Sequence, residues 1–251
     1  MINSFFATVG EKLSSLLPPP FTSQSTGHQF EVPSLSRATI NQKLTTQKID
    51  SIPVKKSVGP DNVNKELLKL VENMIIPSLT CLYQHSLEDE TVFSEQKSAQ
   101  VIPIHKGDDE TDAANYRPIS LLSIPSKILE SLVNDALVTH VFASNDLASD
   151  RQWAFRKGFS TELLLTQLTE LWRKEVDKEN AVAVAFIDFK KAFDCVQHEQ
   201  LLAKLQKNFG ILGPLHNWLK SYLSNRLQYT VVNGVKSKMQ SFQSESLRAQ
   251  S

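Results

Sequence analysis

The stretch from Ala181 to Asp194, AVAVAFIDFKKAFD, constrains the fold of this chain more than any other. Its first seven residues are apolar and rich in valine and alanine. This run is too short for a helix of its own and predicts a central β-strand over Ala181–Ile187. Asp188 follows directly, and an apolar pattern resumes beyond it. We therefore expect a buried strand that delivers a carboxylate to the edge of a sheet, ahead of a helix.

Two interpretations of Asp188 are open on spacing alone. An ionised carboxylate at the end of a buried strand is costly unless it is paired or binds a cation, and Mg²⁺ commonly uses one or two carboxylates together with substrate phosphates. The other interpretation, which spacing alone favours, is an N-cap for a helix at Lys190. Asp194 is open to the same two interpretations, and Phe193 either faces the site or belongs to the core.

Composition places the chain among ordinary globular proteins. Its 251 residues are 41% hydrophobic and have a formal net charge of zero, which suits one domain or two small ones and argues against disorder. Residues 201–251 carry seven basic residues and one acidic residue, a net charge of +6. A cationic segment behind a carboxylate suits a polyanionic ligand, whereas the neutral total argues against tight autonomous binding of nucleic acid.

Cysteine usage and hydropathy predict the compartment. Cys81 and Cys195 form neither a disulfide framework nor a metal-binding spacing. No apolar run approaches the length of a membrane span, and Glu11 and Lys12 interrupt the apolar N-terminal segment, unlike a signal peptide. We therefore expect an intracellular protein of the cytoplasm or nucleus that is neither secreted nor bound to a membrane.

The N-terminal region has two parts. Apolar residues at helical spacing predict an amphipathic helix over residues 1–17. This helix is either an appended element that docks on some other surface or the tail of an upstream domain. Residues 18–36 begin with three prolines and are rich in Ser, Thr and Gln, which predicts a flexible linker.

Further elements give an α+β fold that is rich in helices. Helical periodicity predicts helices over Ser126–Phe142 and Phe159–Val176. Ala99–Ile104 predicts a strand, placed at a sheet edge because it contains Pro103. Two short strands around Asn233-Gly234 predict a β-hairpin.

A second group of candidate residues surrounds a loop rich in Asp. A strand, a Gly-containing loop and a return strand fixed by Pro118 place Lys106 and Arg117 near each other on a hairpin-like finger. Lysine as a point charge and arginine as a bidentate fork both suit a triphosphate. The alternative is that these cations pair with acids of the loop. Those acids are Asp108, Asp109, Glu110 and Asp112.

A third candidate is the segment QWAFRKGFST at residues 152–161. Aromatic residues, including Phe155, are interleaved with Arg156 and Lys157, which suits stacking on bases and contact with a nucleic-acid backbone. An amphipathic loop that covers a core has much the same pattern.

Taken in order, these motifs resemble the reverse transcriptases of non-LTR (LINE-like) retrotransposons. NYRPISLL and FIDFKKAFD in this order are highly specific for that family. The segment at residues 3–13 also resembles the region ahead of the polymerase core. The similar segments are GPDNVNKELLK at 59–69, VIPIHKGDDETDAANYRPISLLSIPSKILE at 101–130, QWAFRKGFST at 152–161, AFIDFKKAFDCVQHEQLLAKL at 185–205 and WLKSYLSNRLQYTVVNG at 218–234.

The resemblance implies a right-hand polymerase fold, with fingers over residues 37–180 and an incomplete palm over residues 181–251. It implies nucleotidyl transfer with two Mg²⁺ ions, an RNA template, a DNA primer and dNTPs. Asp188 matches the first catalytic metal-binding aspartate, and Phe193 matches the ring that excludes a ribose 2′-OH.

The resemblance also gives roles to the other candidates. Lys106 and Arg117 match the fingers residues that hold the incoming triphosphate. Residues 152–161, with Phe155, Arg156 and Lys157, match a template-contacting motif in which Ala154 replaces the usual glycine.

The sequence departs from the family pattern after VNGVKSKMQSF. There the family continues with a Gly-Val-Pro-Gln-Gly loop and a Tyr/Phe-Ala-Asp-Asp hairpin, whereas this sequence reads QSESLRAQS. The paired aspartates that complete a two-metal site are missing from it, so we expect little or no polymerase activity from the sequence as written. The alternatives are a non-catalytic remnant that binds RNA or nucleotides and an unstable, non-functional product.

Overall fold

The computed structural model of the chain describes residues 2–14, 32–53, 58–107, 109–144, 147–189 and 192–241. The chain divides into two compact units. The larger unit contains residues 1–137 and 191–251, and the smaller unit contains residues 138–190.

Helices supply the hydrophobic core of the larger unit. In the described residues they are α1 (Ile2–Ser14), α2 (Gln42–Ser51), α3 (Lys65–Leu70), α4 (Glu72–Glu88), α5 (Ile124–Val138), α6 (Thr161–Val176), α7 (His198–Phe209) and α8 (Gly213–Leu223), of which α6 lies in the smaller unit. Tyr83 of α4 and Trp218 of α8 are buried at the centre of this core. Their polar atoms are satisfied, because the Tyr83 hydroxyl donates to the Pro125 carbonyl at 2.8 Å and Trp218 Nε1 donates to Ser86 Oγ at 2.9 Å.

One mixed sheet accompanies these helices. Its strands are β1 (Ser98–His105), β2 (Tyr116–Leu121), β3 (Leu227–Val232), β4 (Val235–Lys236) and β5 (Gln240–Ser241). The strand order is β2-β1-β3-β4, and β5 also pairs with β3. β1 runs antiparallel to β2 and parallel to β3. The predicted α+β class therefore agrees with the observed mixture of helices and strands.

The prediction that Ala99–Ile104 is an edge strand is wrong, because β1 lies between β2 and β3. Pro103 is tolerated there for a local reason. It lies opposite Pro118, and β3 pairs with β1 only from Ser98 to Val101. Since neither proline has an N–H group, the two form a non-hydrogen-bonded pair, in which each backbone nitrogen points away from the partner strand.

The N-terminal helix α1 is part of the larger unit and packs on β3 and β5. The predicted helix thus docks on the chain itself. The prediction of a flexible linker is wrong at Leu35, whose N–H donates to the Gly210 carbonyl at 2.9 Å and whose carbonyl accepts from the Leu212 N–H at 3.0 Å. Residues 18–31 of that predicted linker lie outside the described residues.

The smaller unit is built around α6, which confirms the helix predicted at Phe159–Val176. Ser160 begins this helix as an N-cap and accepts a hydrogen bond from the Leu163 N–H at 3.3 Å. The helix predicted at Ser126–Phe142 is also confirmed, as α5 followed by a wider π-helical turn over Thr139–Ser144.

The prediction of a central strand at Ala181–Ile187 is wrong. Residues 181–189 form no strand in the structure, and the side chains of Phe186 and Ile187 are 89% and 81% exposed. A β-strand exists only where a neighbouring strand pairs with its backbone, and none of the described strands does so here. The Val-rich pattern indicates a preference for burial, but it does not show whether another strand is present to pair with these residues.

Candidate nucleotide and nucleic-acid sites

The β1–β2 hairpin brings Lys106 and Arg117 to one face. In its register Ile104 lies opposite Arg117, and the Lys106 N–H extends the pairing by donating to the Asn115 carbonyl at 2.9 Å. Side chains alternate along a strand, so Lys106 points to the same face as Ile104 and therefore as Arg117. The two cationic residues are diagonal neighbours across the hairpin, and both are exposed.

The acids of the loop serve the turn that joins these strands. The Asp109 carboxylate accepts from the Thr111 N–H at 2.9 Å and from the Thr111 hydroxyl at 2.7 Å, and these bonds lower the pKa of Asp109. Asp112 accepts from the Ala114 N–H at 2.8 Å, as a cap of the short turn that follows. Lys106 Nζ donates to the Ala114 carbonyl at 3.0 Å.

These contacts argue against the alternative in which the loop acids neutralise the two cations. Within the described part of the chain, which omits Asp108, no ion pair joins Lys106 or Arg117 to a carboxylate. The carboxylates of Asp109 and Asp112 stabilise the loop instead, and Lys106 and Arg117 are exposed.

The segment at residues 152–161 divides its residues between two environments. The Arg156 guanidinium lies over the Phe159 ring at 4.4 Å and over the Phe142 ring at 5.3 Å from the centroids. Trp153 meets Phe159 edge-on, with ring centroids 5.0 Å apart. Arg156 is half-buried in this stack. At this position the interleaved aromatic and basic residues stabilise the loop through cation–π contacts.

Phe155 and Lys157 are more exposed than Arg156. Phe155 is 81% exposed and has a φ of 63°, a left-handed conformation that is unusual for an aromatic residue. Lys157 is also exposed. An exposed ring and an adjacent ammonium group are the two components that contact with a base and a phosphate requires.

The opening motif is divided between the two units. Asp188 belongs to the smaller unit, where it is exposed, and Phe193 and Asp194 belong to the larger one. Phe193 is 80% exposed, which rules out the core role that its spacing allowed. Lys190, where the cap interpretation places the start of a helix, lies outside the described residues, and the N-cap of the next described helix, α7, is Gln197.

The described residues do not form a metal site. They contain no group of three or more His, Cys, Asp or Glu side chains that could hold a metal ion. Mg²⁺ requires near-octahedral oxygen coordination, and a two-metal centre requires several shared ligands. Asp188 alone does not meet that requirement, so we assign no metal-dependent step to these residues.

Sequence reasoning missed a polar cluster between α5 and α8. Burial raises the pKa of Glu130, against the opposing effects of Arg226 and of a hydrogen bond with Tyr222. Burial and the nearby Glu130 raise the pKa of Tyr222 to about 12. The Arg226 guanidinium lies 4.6 Å from the Tyr222 ring centroid. The sequence signal that could have indicated this cluster is Glu130 itself, an acidic residue that follows Leu129 within the apolar pattern of α5.

Glu130 and Tyr222 line a cavity of about 500 Å³ with residues of both helices. Its other lining residues are Lys127, Ser131, Val133, Asn134, Leu137, Trp218 and Leu219. None of the described helices is long and apolar enough to cross a membrane.

A family model and individual known proteins that are similar to this chain point to the same family. Residues 104–248, more than half of the chain, match the family "Reverse transcriptase (RNA-dependent DNA polymerase)". The chain is 35% identical over 207 residues to the probable RNA-directed DNA polymerase from transposon BS of Drosophila melanogaster, covering 81% of this chain and 22% of that protein. It is 28% identical over 207 residues to the RNA-directed DNA polymerase from mobile element jockey of the same species, covering 82% and 22%.

A third relative is the retrovirus-related Pol polyprotein from type-1 retrotransposable element R1 of Bradysia coprophila. It is 28% identical over 196 residues, which cover 74% of this chain and 18% of that protein. The chain thus spans about a fifth of the length of the curated relatives it matches. Given a family match over more than half of its length and relatives that come from mobile elements, the chain belongs to the reverse transcriptase family, as a domain of the non-LTR retrotransposon type.

Proposed function

We propose that this chain provides nucleotide and template contacts for an RNA-directed DNA polymerase that extends a DNA primer on an RNA template with dNTPs. The observation that carries the proposal is the shared, exposed face of Lys106 and Arg117 on the β1–β2 hairpin. Residues 37–180 as fingers and residues 181–251 as part of a palm belong to the same proposal.

The hairpin is suited to a triphosphate. Lys106 supplies a compact positive charge, and Arg117 supplies a planar fork that can bind two phosphate oxygens at once. Both side chains are long and start from diagonal positions, so they can reach one polyphosphate group. Because the Asp109 and Asp112 carboxylates bond to backbone N–H groups, an incoming anion does not have to displace them from these cations.

Phe193 is proposed to contact the sugar of the incoming nucleotide. Its ring is 80% exposed, and an aromatic ring packed beside C2′ leaves no room for a hydroxyl. Asp188 contributes a single exposed carboxylate to the proposed site. A requirement for Mg²⁺ is inferred from the family and not from a cluster of ligands among the described residues.

Phe155 and Lys157 are proposed to contact the template strand, by stacking on a base and by pairing with a phosphate. Arg156 is proposed to hold the backbone of Phe155 and Lys157 in position. Its guanidinium is stacked on Phe142 and Phe159, which fixes the loop from which its neighbours project.

Equilibrium dialysis with labelled dATP tests the proposal for the hairpin. A hydrogen bond to a charged group contributes about 1.5–3 kcal/mol, so Arg117→Ala and Lys106→Ala should each weaken dATP binding by roughly tenfold to a hundredfold. Arg117→Lys keeps the charge but loses the fork, and we expect an intermediate affinity.

The matched control is Lys43→Ala, which removes an exposed lysine from α2 without touching the hairpin. Its dATP affinity should equal that of the wild type. The proposal fails if Lys106→Ala and Arg117→Ala, with unchanged melting temperatures, bind dATP as tightly as Lys43→Ala does.

A further inference from the structure

Gly10 of α1 lies directly against the turn that carries Phe193. A Cβ atom built on Gly10 would lie much closer to the backbone carbonyl oxygen of Asp194 than the 3.0 Å below which real Cβ contacts are essentially never found. The obstacle is backbone rather than a flexible side-chain end. Glycine therefore allows an approach between α1 and this turn that any other residue would prevent.

The opposite end of α1 is anchored to the sheet by one buried side chain. Asn3 is 5% exposed. Its Oδ1 accepts from Thr230 Oγ1 at 2.9 Å and from Gln228 Nε2 at 3.3 Å, and its Nδ2 donates to the Lys238 carbonyl at 3.0 Å. The helix is thus fixed at Asn3 and meets the turn at Gly10, seven residues or about 10 Å further along its axis.

We propose that α1 is a positioning element for the turn at residues 192–195, with Asn3 as its anchor and Gly10 as its point of contact. The helix holds the backbone at Asp194 and thereby sets the position of the neighbouring Phe193 ring. The effect on nucleotide choice rests on the function proposed above for Phe193. Asn3 and Gly10 are positioning residues, since they act through this turn.

The effect of Gly10→Ala on stability and on the turn distinguishes this proposal from an ordinary role of Gly10 as a helical residue. Glycine inside a helix is less favourable than alanine, because it loses more backbone freedom on folding. If Gly10 were only a helical residue, Gly10→Ala would stabilise the protein and leave the turn unchanged. If Gly10 is a contact point, the same substitution pushes the turn away.

The two cysteines of the chain allow a local measurement. Cys195 follows Asp194 directly and is half-buried, whereas Cys81 on α4 is exposed. Thiol labelling followed by mass spectrometry reports the rate at each position, with Cys81 as the internal standard. Gly10→Ala should raise the labelling rate of Cys195 several-fold relative to Cys81, while a thermal melt shows a folded protein.

Two further variants complete the experiment. Asn3→Ala removes the anchor at the other end of α1, so it should also raise the labelling rate of Cys195, and it carries the test if Gly10→Ala does not fold. Ser4→Ala, at an exposed position of the same helix, should leave that rate unchanged. Wild-type labelling of Cys195 in folded Gly10→Ala or folded Asn3→Ala overturns the proposal.

The ratio of dATP affinity to ATP affinity gives the second readout. We expect this ratio to fall several-fold in Gly10→Ala and to stay at the wild-type value in Ser4→Ala. An unchanged ratio beside faster Cys195 labelling overturns the link to nucleotide choice. If the wild-type chain binds no nucleotide, the function proposed for the hairpin fails, whereas the labelling rates still decide whether α1 holds the turn.

Discussion

Glu130 and Tyr222 show how two polar side chains are accommodated beside an apolar core. They share a hydrogen bond, and Arg226 lies close enough to favour the ionised form of both groups. Burial nevertheless has the largest effect on each and raises both pKa values. Both groups therefore keep their protons to a higher pH in the folded protein than in the unfolded chain, and the stability of the larger unit depends on pH where these groups ionise.

The pKa of Tyr222 gives a prediction at alkaline pH. An unfolded tyrosine loses its proton near pH 10, whereas Tyr222 in the folded chain loses it near pH 12. Between these values the unfolded state binds fewer protons than the folded state, so the free energy of unfolding falls as pH rises. Tyr222→Phe removes this contribution and should reduce the fall between pH 9 and pH 12 by about 2–3 kcal/mol.

Urea unfolding at several pH values measures this difference. Tyr83 is also buried, but it is present in both proteins and its contribution cancels. Tyr116→Phe, at the start of β2, where the tyrosine hydroxyl donates to the Glu110 carbonyl, is the control for loss of a tyrosine. Equal pH dependence in wild type and Tyr222→Phe would contradict the role given to burial at this position.

At the level of elements, local sequence signals predicted turns and helices well, whereas the pairing of strands that are distant in the sequence could not be predicted. Asn233-Gly234 predicted a hairpin, which is confirmed, since the turn needs only its own two residues at positive φ, here 49° and 79°. The strand predicted at Ala181–Ile187 was wrong because a strand depends on a partner elsewhere in the chain. β1 was found, but its place inside the sheet depends on β3, more than a hundred residues later.

Gly234→Ala tests the hairpin turn directly. A Cβ atom at this position meets nothing within 4 Å, so the only cost is backbone strain at a φ of 79°. That strain should lower the free energy of unfolding by about 1 kcal/mol. Urea unfolding followed by circular dichroism measures this change.

Asn233→Gly is the matched control, because glycine adopts a positive φ without strain. It should leave stability nearly unchanged, because the relief of strain at a positive φ is offset by the greater freedom of glycine in the unfolded chain. A Gly234→Ala protein as stable as Asn233→Gly would show that this turn does not need the left-handed conformation.

For the whole molecule, the order of motifs carried more information than any single residue. On spacing alone Asp188 was better explained as a helix cap, and only the flanking motifs favoured a catalytic family, which the family match confirms. The sequence could not predict that Arg156 lies over the rings of Phe142 and Phe159, because periodicity predicted the helix that contains Phe142 but not which way its side chains point. Likewise, nothing in residues 3–13 indicated the contact between Gly10 and Asp194.

The division of residues 152–161 predicts distinct effects on the binding of single-stranded RNA. Lys157→Gln removes the phosphate contact proposed above, so it should reduce the slope of log affinity against log salt by about one. Phe155→Ala removes the ring proposed to stack on a base and should weaken binding by about 1–3 kcal/mol without changing that slope. Fluorescence anisotropy with a labelled oligonucleotide, measured at several salt concentrations, separates the two effects.

Lys43→Gln is the control for general loss of positive charge, and it should have no effect on the slope. Arg156→Ala should weaken RNA binding and also lower the melting temperature, because it removes two ring contacts. If Phe155→Ala and Lys157→Gln both bind RNA like the wild type, this segment is not a template contact.

The facing pair Pro103 and Pro118 has a consequence for the behaviour of the protein at high concentration. β2 is the outer strand of the sheet, and Pro118 removes a backbone donor from its open side. Pro103 does the same on the other side of the hairpin, beyond the point where β3 stops pairing. An extended chain that tried to add to either border would find a gap in the row of donors. The hairpin that displays Lys106 and Arg117 is thereby protected from edge-to-edge aggregation.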